Sequence, residues 1–181
     1  MARTSFEDSR MRSMLLSITI LLLPAGASAL EVFACEPEWA SLVSELAGDD
    51  VNVTVATTAF QDPHRLQAKP SLIAAIRKAD LVVCTGADLE IGWLPLLLRR
   101  GGNPEIFMAS EFVRKLEVPQ VISRSQGDIH PQGNPHVHLD PRNIRRVAAA
   151  LAEQRGRLLE PRPRPGQRGA SDRTRLPVLR P

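Results

Sequence analysis

The sequence predicts an α/β fold built on a mainly parallel sheet. Three observations predict it. Short valine-rich runs, at 31–35, 51–58 and 81–86, read as strands. Stretches between them carry apolar residues at helical spacing. The two kinds of segment alternate along the chain, which places helices on the faces of a parallel sheet.

Each element has its own signal. "EVFAC" (Glu31–Cys35) is a short strand, and in "EPEWASLVSELAGDD" Trp39, Leu42, Val43 and Leu46 share a helical face, with Gly48 as the stop. "VNVTVATT" alternates valines at 51, 53 and 55 and is a second strand. "KPSLIAAIRKAD" is a short helix with Leu72, Ile73 and Ile76 on one face, followed by the apolar strand "LVVCTG". "DLEIGWLPLLLRRGG" is expected to be a helix disturbed by Pro95 and closed by Gly101 and Gly102. "EIFMA" is the next strand, and "SEFVRKLEVPQVIS" is irregular or a short helix. A final helix starts at "DPRNIRRVAAALAEQ", where Asp140 is the N-cap, Pro141 the first helical residue, and Ile144, Val147, Ala148 and Leu151 form the apolar stripe.

The two ends fall outside this folding unit. Residues 1–29 have a basic start (Arg3, Arg10, Arg12), an apolar run from Met14 to Leu23, and Ala27-Ser28-Ala29 as a cleavage site. That is the pattern of a secretory signal peptide, and the apolar run is about half the ~20 residues a membrane-spanning helix needs. From Arg155 onward the chain holds eight arginines, five prolines, two acidic residues and no aromatic residue. Such a segment buries too little apolar surface to offset its ordering entropy, so 160–181 is expected to be a disordered Arg/Pro-rich tail. The net charge of +3 comes largely from this tail and says little about partners of the folded part. Cys35 and Cys84 are the only cysteines. In an exported protein they can pair, or they can be two buried thiols; spacing alone leaves both open.

Chemistry concentrates in histidine. Of four histidines, His130, His136 and His138 fall within the stretch "GDIHPQGNPHVHLDPRN", while His64 sits upstream in "QDPHRLQAKPS". Imidazole suits zinc, copper, nickel or iron. In an extended segment His136 and His138 would point to one face. His64 and His136 each follow a proline that stiffens the approach.

The segments "VFACEPEWASLVSELAGD", "TTAFQDPHRLQAKPSLIAAIRKADLVVCTGADLEIGWLPLLL" and "GDIHPQGNPHVHLDPRNI" resemble the zinc/manganese solute-binding proteins of ABC importers. The resemblance covers about Glu31 to Leu151. It implies a Rossmann-like N-terminal metal-binding lobe over 30–139 and, over 140–159, the start of the long helix that joins two lobes. It places metal ligation on His64 through D-P-H and on His136 through N-P-H-x-x-L-D-P. His138 stands where many relatives carry an aromatic residue, and His130 is an extra; both are auxiliary neighbours. Zinc is the expected ion, with manganese the alternative, because imidazole nitrogen favours zinc and manganese prefers more oxygen. The implied partner is a membrane ABC permease, and the implied location is periplasmic or extracytoplasmic. The expected form is a monomer, with no enzymatic activity and no nucleic-acid partner.

The family's second lobe supplies the remaining ligands. Here no histidine follows His138, and the one aspartate beyond Asp140 is Asp172. A truncated chain with a missing second lobe, a weaker and more exposed zinc site, and a helix whose apolar face is left uncovered are therefore expected. Two other readings stand beside this one. A zinc hydrolase would use His136, His138 and a carboxylate such as Glu111, although no H-E-x-x-H motif is present. Non-specific nucleic-acid binding would use the arginine-rich tail, which lacks interleaved aromatics.

Overall fold

The computed structural model describes residues 29–121 and 130–159. The signal peptide expected over 1–29 (apart from Ala29), the tail expected over 160–181, and Gly127–Ile129 of the histidine stretch lie outside the described residues. Four strands form one sheet: β1 (Leu30–Ala34), β2 (Val51–Val55), β3 (Leu81–Cys84) and β4 (Glu105–Met108). All pairs are parallel and the order is β2-β1-β3-β4. Four α-helices accompany them: α1 (Pro37–Ala47), α2 (Pro70–Lys78), α3 (Leu94–Gly101) and α4 (Pro141–Leu159). The α/β class and the parallel sheet are as the alternation predicts.

Side-chain alternation splits the core into two layers. Val32, Leu81, Val83 and Phe107 point to the face covered by α1 and α4, where Trp39, Val43, Val147 and Leu151 pack. Phe33, Val82, Cys35 and Cys84 point to the opposite face, against Ile76 of α2 and Trp93, Leu94 and Leu97 at α3. Both faces of β3 are closed, and its burial is continuous across all four residues.

Two expectations need correction. Asp88–Trp93 form turns, and α3 begins only at Leu94 with Pro95 in its first turn. Proline lacks an amide donor and has a fixed φ, so it opens this helix instead of disturbing its interior. The uncovered apolar face expected on α4 is also absent. Val147 and Leu151 are buried against the sheet, Ile144 and Leu158 pack beside them, and the outward positions are Arg142, Arg145, Arg146, Ala149, Ala152 and Glu153. The stripe that marks this helix in the sequence is spent on its own lobe. Among the described residues, no helix is long and apolar enough to cross a membrane.

Candidate metal centre

Two loops build the site. The first runs from the end of β2 to α2 and holds the 3₁₀ turn Pro63–Arg65. Asp62 caps that turn: its Oδ1 accepts the His64 backbone N–H at 3.0 Å and meets His64 Nδ1 at 2.8 Å. The hydrogen bonds from the His64 ring and backbone hold the Asp62 carboxyl below its ordinary value of 3.8. A carboxylate on one imidazole nitrogen fixes the ring and its tautomer, which presents the other nitrogen for ligation. From behind, the buried Trp93 indole donates to the Pro63 carbonyl at 2.8 Å and ties the loop to the core.

The second loop is the histidine stretch. The Gly133 N–H donates to the His130 carbonyl at 2.9 Å, closing the Pro-Gln-Gly turn. Gly133 sits at φ +100, where a Cβ would lie 2.8 Å from the Leu116 carbonyl oxygen, so a side chain is excluded twice. Asn134 then does three things. Its N–H donates to the Leu116 carbonyl at 2.8 Å, its Nδ2 donates to Glu117 Oε2 at 2.8 Å, and its Oδ1 accepts the His136 N–H at 2.9 Å. The 3₁₀ turn Val137–Leu139 follows, and Asp140 caps α4 by accepting the Arg142 N–H at 2.9 Å.

The loops meet in a cleft of about 490 Å³ lined by His64, His130, His136, Glu117, Asn134, Gly133, Pro119 and Pro135. His64 Nε2 and His130 Nε2 are 3.0 Å apart. Two nitrogens on one tetrahedral zinc ion, at bonds of ~2.0–2.1 Å, stand about 3.3 Å apart. The pair is thus within a few tenths of an ångström of the spacing one ion needs. His136 is exposed on the same cleft.

His138 goes elsewhere. Val137–Leu139 is a 3₁₀ turn and not extended chain, so the His138 ring meets that of His136 edge-on, with centroids 6.0 Å apart, but stays out of the cleft. The His138 ring stands edge-on to Trp39, with Nδ1 3.3 Å from Glu38 Oε1, and does not line the cleft. Glu111 is also separate: it lines another cleft, with Asp88, Glu90 and Gln132. For the hydrolase reading, the structure brings His136 and His138 together, with Glu38 beside His138, but sets Glu111 apart from them. Glu117 and Trp93 are the residues that sequence reasoning missed. Glu117 has φ +53 in an irregular loop, and nothing local announces that it faces the histidines.

Behind the site lies a buried polar chain. Trp39 Nε1 donates to Thr85 Oγ1 at 2.7 Å, which donates to Glu36 Oε2 at 3.0 Å. The Thr85 N–H also reaches Glu90 Oε1 at 2.8 Å. Burial first, then the Glu90 charge, push the Glu36 carboxyl up to about 9. Cys35 and Cys84 are joined in a disulfide, which decides between the two states the sequence left open.

Comparison with known proteins places these features. The family model described as zinc-uptake complex component A, periplasmic, matches residues 32–162. The metal ABC transporter substrate-binding lipoprotein ScbA of Streptococcus cristatus is 27% identical over 111 residues, covering 58% of this chain and 36% of that protein. The manganese ABC transporter substrate-binding lipoprotein scaA of Streptococcus gordonii is likewise 27% identical, over 112 residues. Among solved structures, a 138–173 deletion mutant of ZnuA with zinc bound superposes with TM-score 0.62 at 25% identity, covering 72% of this chain and 47% of that one. The periplasmic zinc-binding protein TroA of Treponema pallidum, at 22% identity and TM-score 0.55, shares the fold. The chain spans 36% of the length of the streptococcal relatives it matches. With most of its length matched by one family model, the chain belongs to the family of periplasmic zinc-uptake component A proteins.

Proposed function

We propose that this chain is the N-terminal metal-binding lobe of an extracytoplasmic solute-binding component, which captures zinc for a membrane ABC permease. The observation that carries the reading is the convergence of His64, His130 and His136 on one cleft, with two imidazole nitrogens already 3.0 Å apart. His64 and His136 are the principal ligands. His130 serves as the third, and Glu117 or water takes the fourth position of a tetrahedral set. His136 is exposed on the cleft, with its ring edge-on to His138, and rotates from there onto the ion. His138, packed on Trp39, supports the loop instead of binding metal.

Zinc is favoured over manganese by this donor set, since three imidazoles and one oxygen suit zinc, whereas manganese prefers carboxylate and water oxygens. The manganese receptor among the relatives keeps the second ion in the test. Export through the Met14–Leu23 segment accords with the disulfide, which is at home in an oxidising compartment. The protein acts as a monomeric carrier and performs no catalysis.

Isothermal titration with zinc and with manganese tests this reading. One zinc ion binds per chain, more tightly than manganese, and His64→Ala or His136→Ala weakens zinc binding by more than about 100-fold, beyond what outer-sphere partners cost. Zinc affinity left intact by both substitutions would remove the assignment.

A further inference from the structure

A second set of metal-ligating side chains lies in the core, apart from the histidine cleft. The ligand atoms of Cys35, Cys84 and Glu90 all lie within 4.8 Å of one another, and all three residues are buried. Cys35 follows β1 and Cys84 ends the neighbouring strand β3, with Cα atoms 4.8 Å apart. That separation is the ordinary spacing of paired strands. The backbone around them is held independently of the sulfur bond. The Cys35 N–H donates to the Val83 carbonyl at 2.8 Å, and the Cys35 carbonyl accepts from the Thr57 N–H at 3.2 Å and Thr57 Oγ1 at 2.7 Å. Opening the disulfide therefore leaves the two backbone positions paired, while the sulfurs separate by side-chain rotation.

A disulfide alone gives no reason for the carboxylates around it. Burying a carboxylate is costly unless it is paired. Glu90 is 3% exposed and held by the Thr85 and Gly86 amides. Glu36, next to Cys35 and also 3% exposed, shares the Thr85 amide with Glu90. The Glu36 and Glu90 carboxyls are also hydrogen-bonded to one another. Glu90 also lines a separate cleft of about 280 Å³, together with Asp88, Glu111 and Gln132, so solvent lies on the Glu90 side of the cluster while both cysteines are fully buried. No lysine or arginine lines that cleft.

We infer that the reduced Cys35–Cys84 pair, with Glu90, is a second metal site for a thiophilic divalent cation such as zinc, which oxidation of the pair closes. A dithiol reductant attacks one sulfur of the disulfide and leaves as its own disulfide. Two electrons pass to the protein, and Cys35 and Cys84 each take a proton. Zinc then displaces both thiol protons and is held by two thiolates and the Glu90 carboxylate, with a water from the cleft in the fourth place. Zinc bonds of ~2.3 Å to sulfur and ~2.0–2.2 Å to oxygen keep ligand atoms within about 3.8 Å of each other. To share one ion the Glu90 carboxylate moves in by about an ångström, within the reach of a glutamate rotamer, and the two sulfurs, bonded to each other in the disulfide, part by about 2 Å through rotation about χ1. Because this site uses sulfur and the cleft uses nitrogen, each can fail without the other.

Cobalt(II) substitution reads the difference directly. The full chain carrying His64→Ala and His136→Ala is reduced with a phosphine, which takes oxygen from water to become the phosphine oxide. Excess phosphine is removed without air, and cobalt(II) is titrated in. One equivalent is expected to raise a thiolate-to-cobalt charge-transfer band in the near ultraviolet, with the visible bands of tetrahedral cobalt. The oxidised protein is expected to show neither. Cys84→Ser should reduce the charge-transfer band by half or more, while Glu90→Gln should keep the band and weaken binding by about 10-fold or more. Three results would overturn the inference: no band in a reduced protein that keeps its far-ultraviolet circular dichroism, a band unchanged in Cys84→Ser, or loss of the fold on reduction.

Discussion

The histidine cleft and the cysteine–glutamate cluster both gather metal-ligating side chains, yet they are assembled by opposite means. In the cleft, each principal histidine is set by its own few residues: Asp62 and Pro63 before His64, Asn134 and Pro135 before His136. In the core, Cys35 and Cys84 meet because β1 and β3 are neighbours in a parallel sheet, 49 residues apart in sequence. Local turns yield exposed side chains that can move onto an ion. Strand ladders yield buried groups fixed before any ligand arrives. The first arrangement suits capture and release, whereas the second suits a lasting structural bond.

Trp93 joins the two regions, and its loss should have the largest effect. Its ring belongs to the same core cluster as Phe33, Cys35 and Cys84, and its indole holds the Pro63 carbonyl. Trp93→Ala is expected to cost about 3–5 kcal/mol of stability, as other large-to-small changes at buried aromatics do. Denaturant unfolding measures it, and a loss under 1 kcal/mol would show that loop and core are not coupled there.

Next come the paired loop substitutions. His136→Ala should weaken zinc binding by more than about 100-fold and His138→Ala by less than about 3-fold, because only His136 lines the cleft while the neighbouring His138 ring packs on Trp39. Equal losses in the two titrations would mean that the loop rearranges to bring both rings onto the ion. Asn134→Ala should weaken binding by about 10-fold, since Asn134 both orients the His136 amide and tethers Glu117. A titration indistinguishable from wild type would leave the prolines alone to fix the loop.

The core is tested by pH. Burial holds Glu36 protonated far above its ordinary value of 4.5, up to about 9. The folded state thus keeps a proton that the unfolded chain gives up. Stability from this source is complete below about 4.5, declines as pH rises, and is gone above about 9. The wild-type melting temperature should fall between about pH 6 and about 9, and Glu36→Gln, neutral throughout, should flatten that fall. Parallel melting curves for the two proteins would place the alkaline sensitivity on other groups.

The contrast also explains what could be seen in the sequence. Valine alternation in "VNVTV", the apolar run "LVVC" and the cap "DPRN" each act over a few residues, and each marks an element that forms where expected. The local motifs D-P-H and N-P-H were visible for the same reason. What escaped depends on distant partners or on backbone shape. Pro95 reads as a disturbance in the sequence because nothing in its neighbourhood reveals that Asp88–Trp93 must turn before α3 can start. Period-two spacing puts His136 and His138 on one face only in extended chain, and the stretch forms a 3₁₀ turn that keeps His138 out of the cleft. The stripe on α4 was legible, but its destination was not: only the packed lobe shows that Val147 and Leu151 face β1, β3 and β4. Pairing of Cys35 with Cys84, and of Glu36 with Glu90, needs the strand order, which no short segment carries.

X-ray absorption at the zinc edge of the one-to-one zinc complex, compared between the wild-type protein and His64→Ala, tests the three-histidine cleft most directly. Three imidazole ligands at ~2.0–2.1 Å are expected in the wild type, falling to two in the variant. A first shell of oxygen alone, or an imidazole count unchanged by His64→Ala, would contradict the assignment.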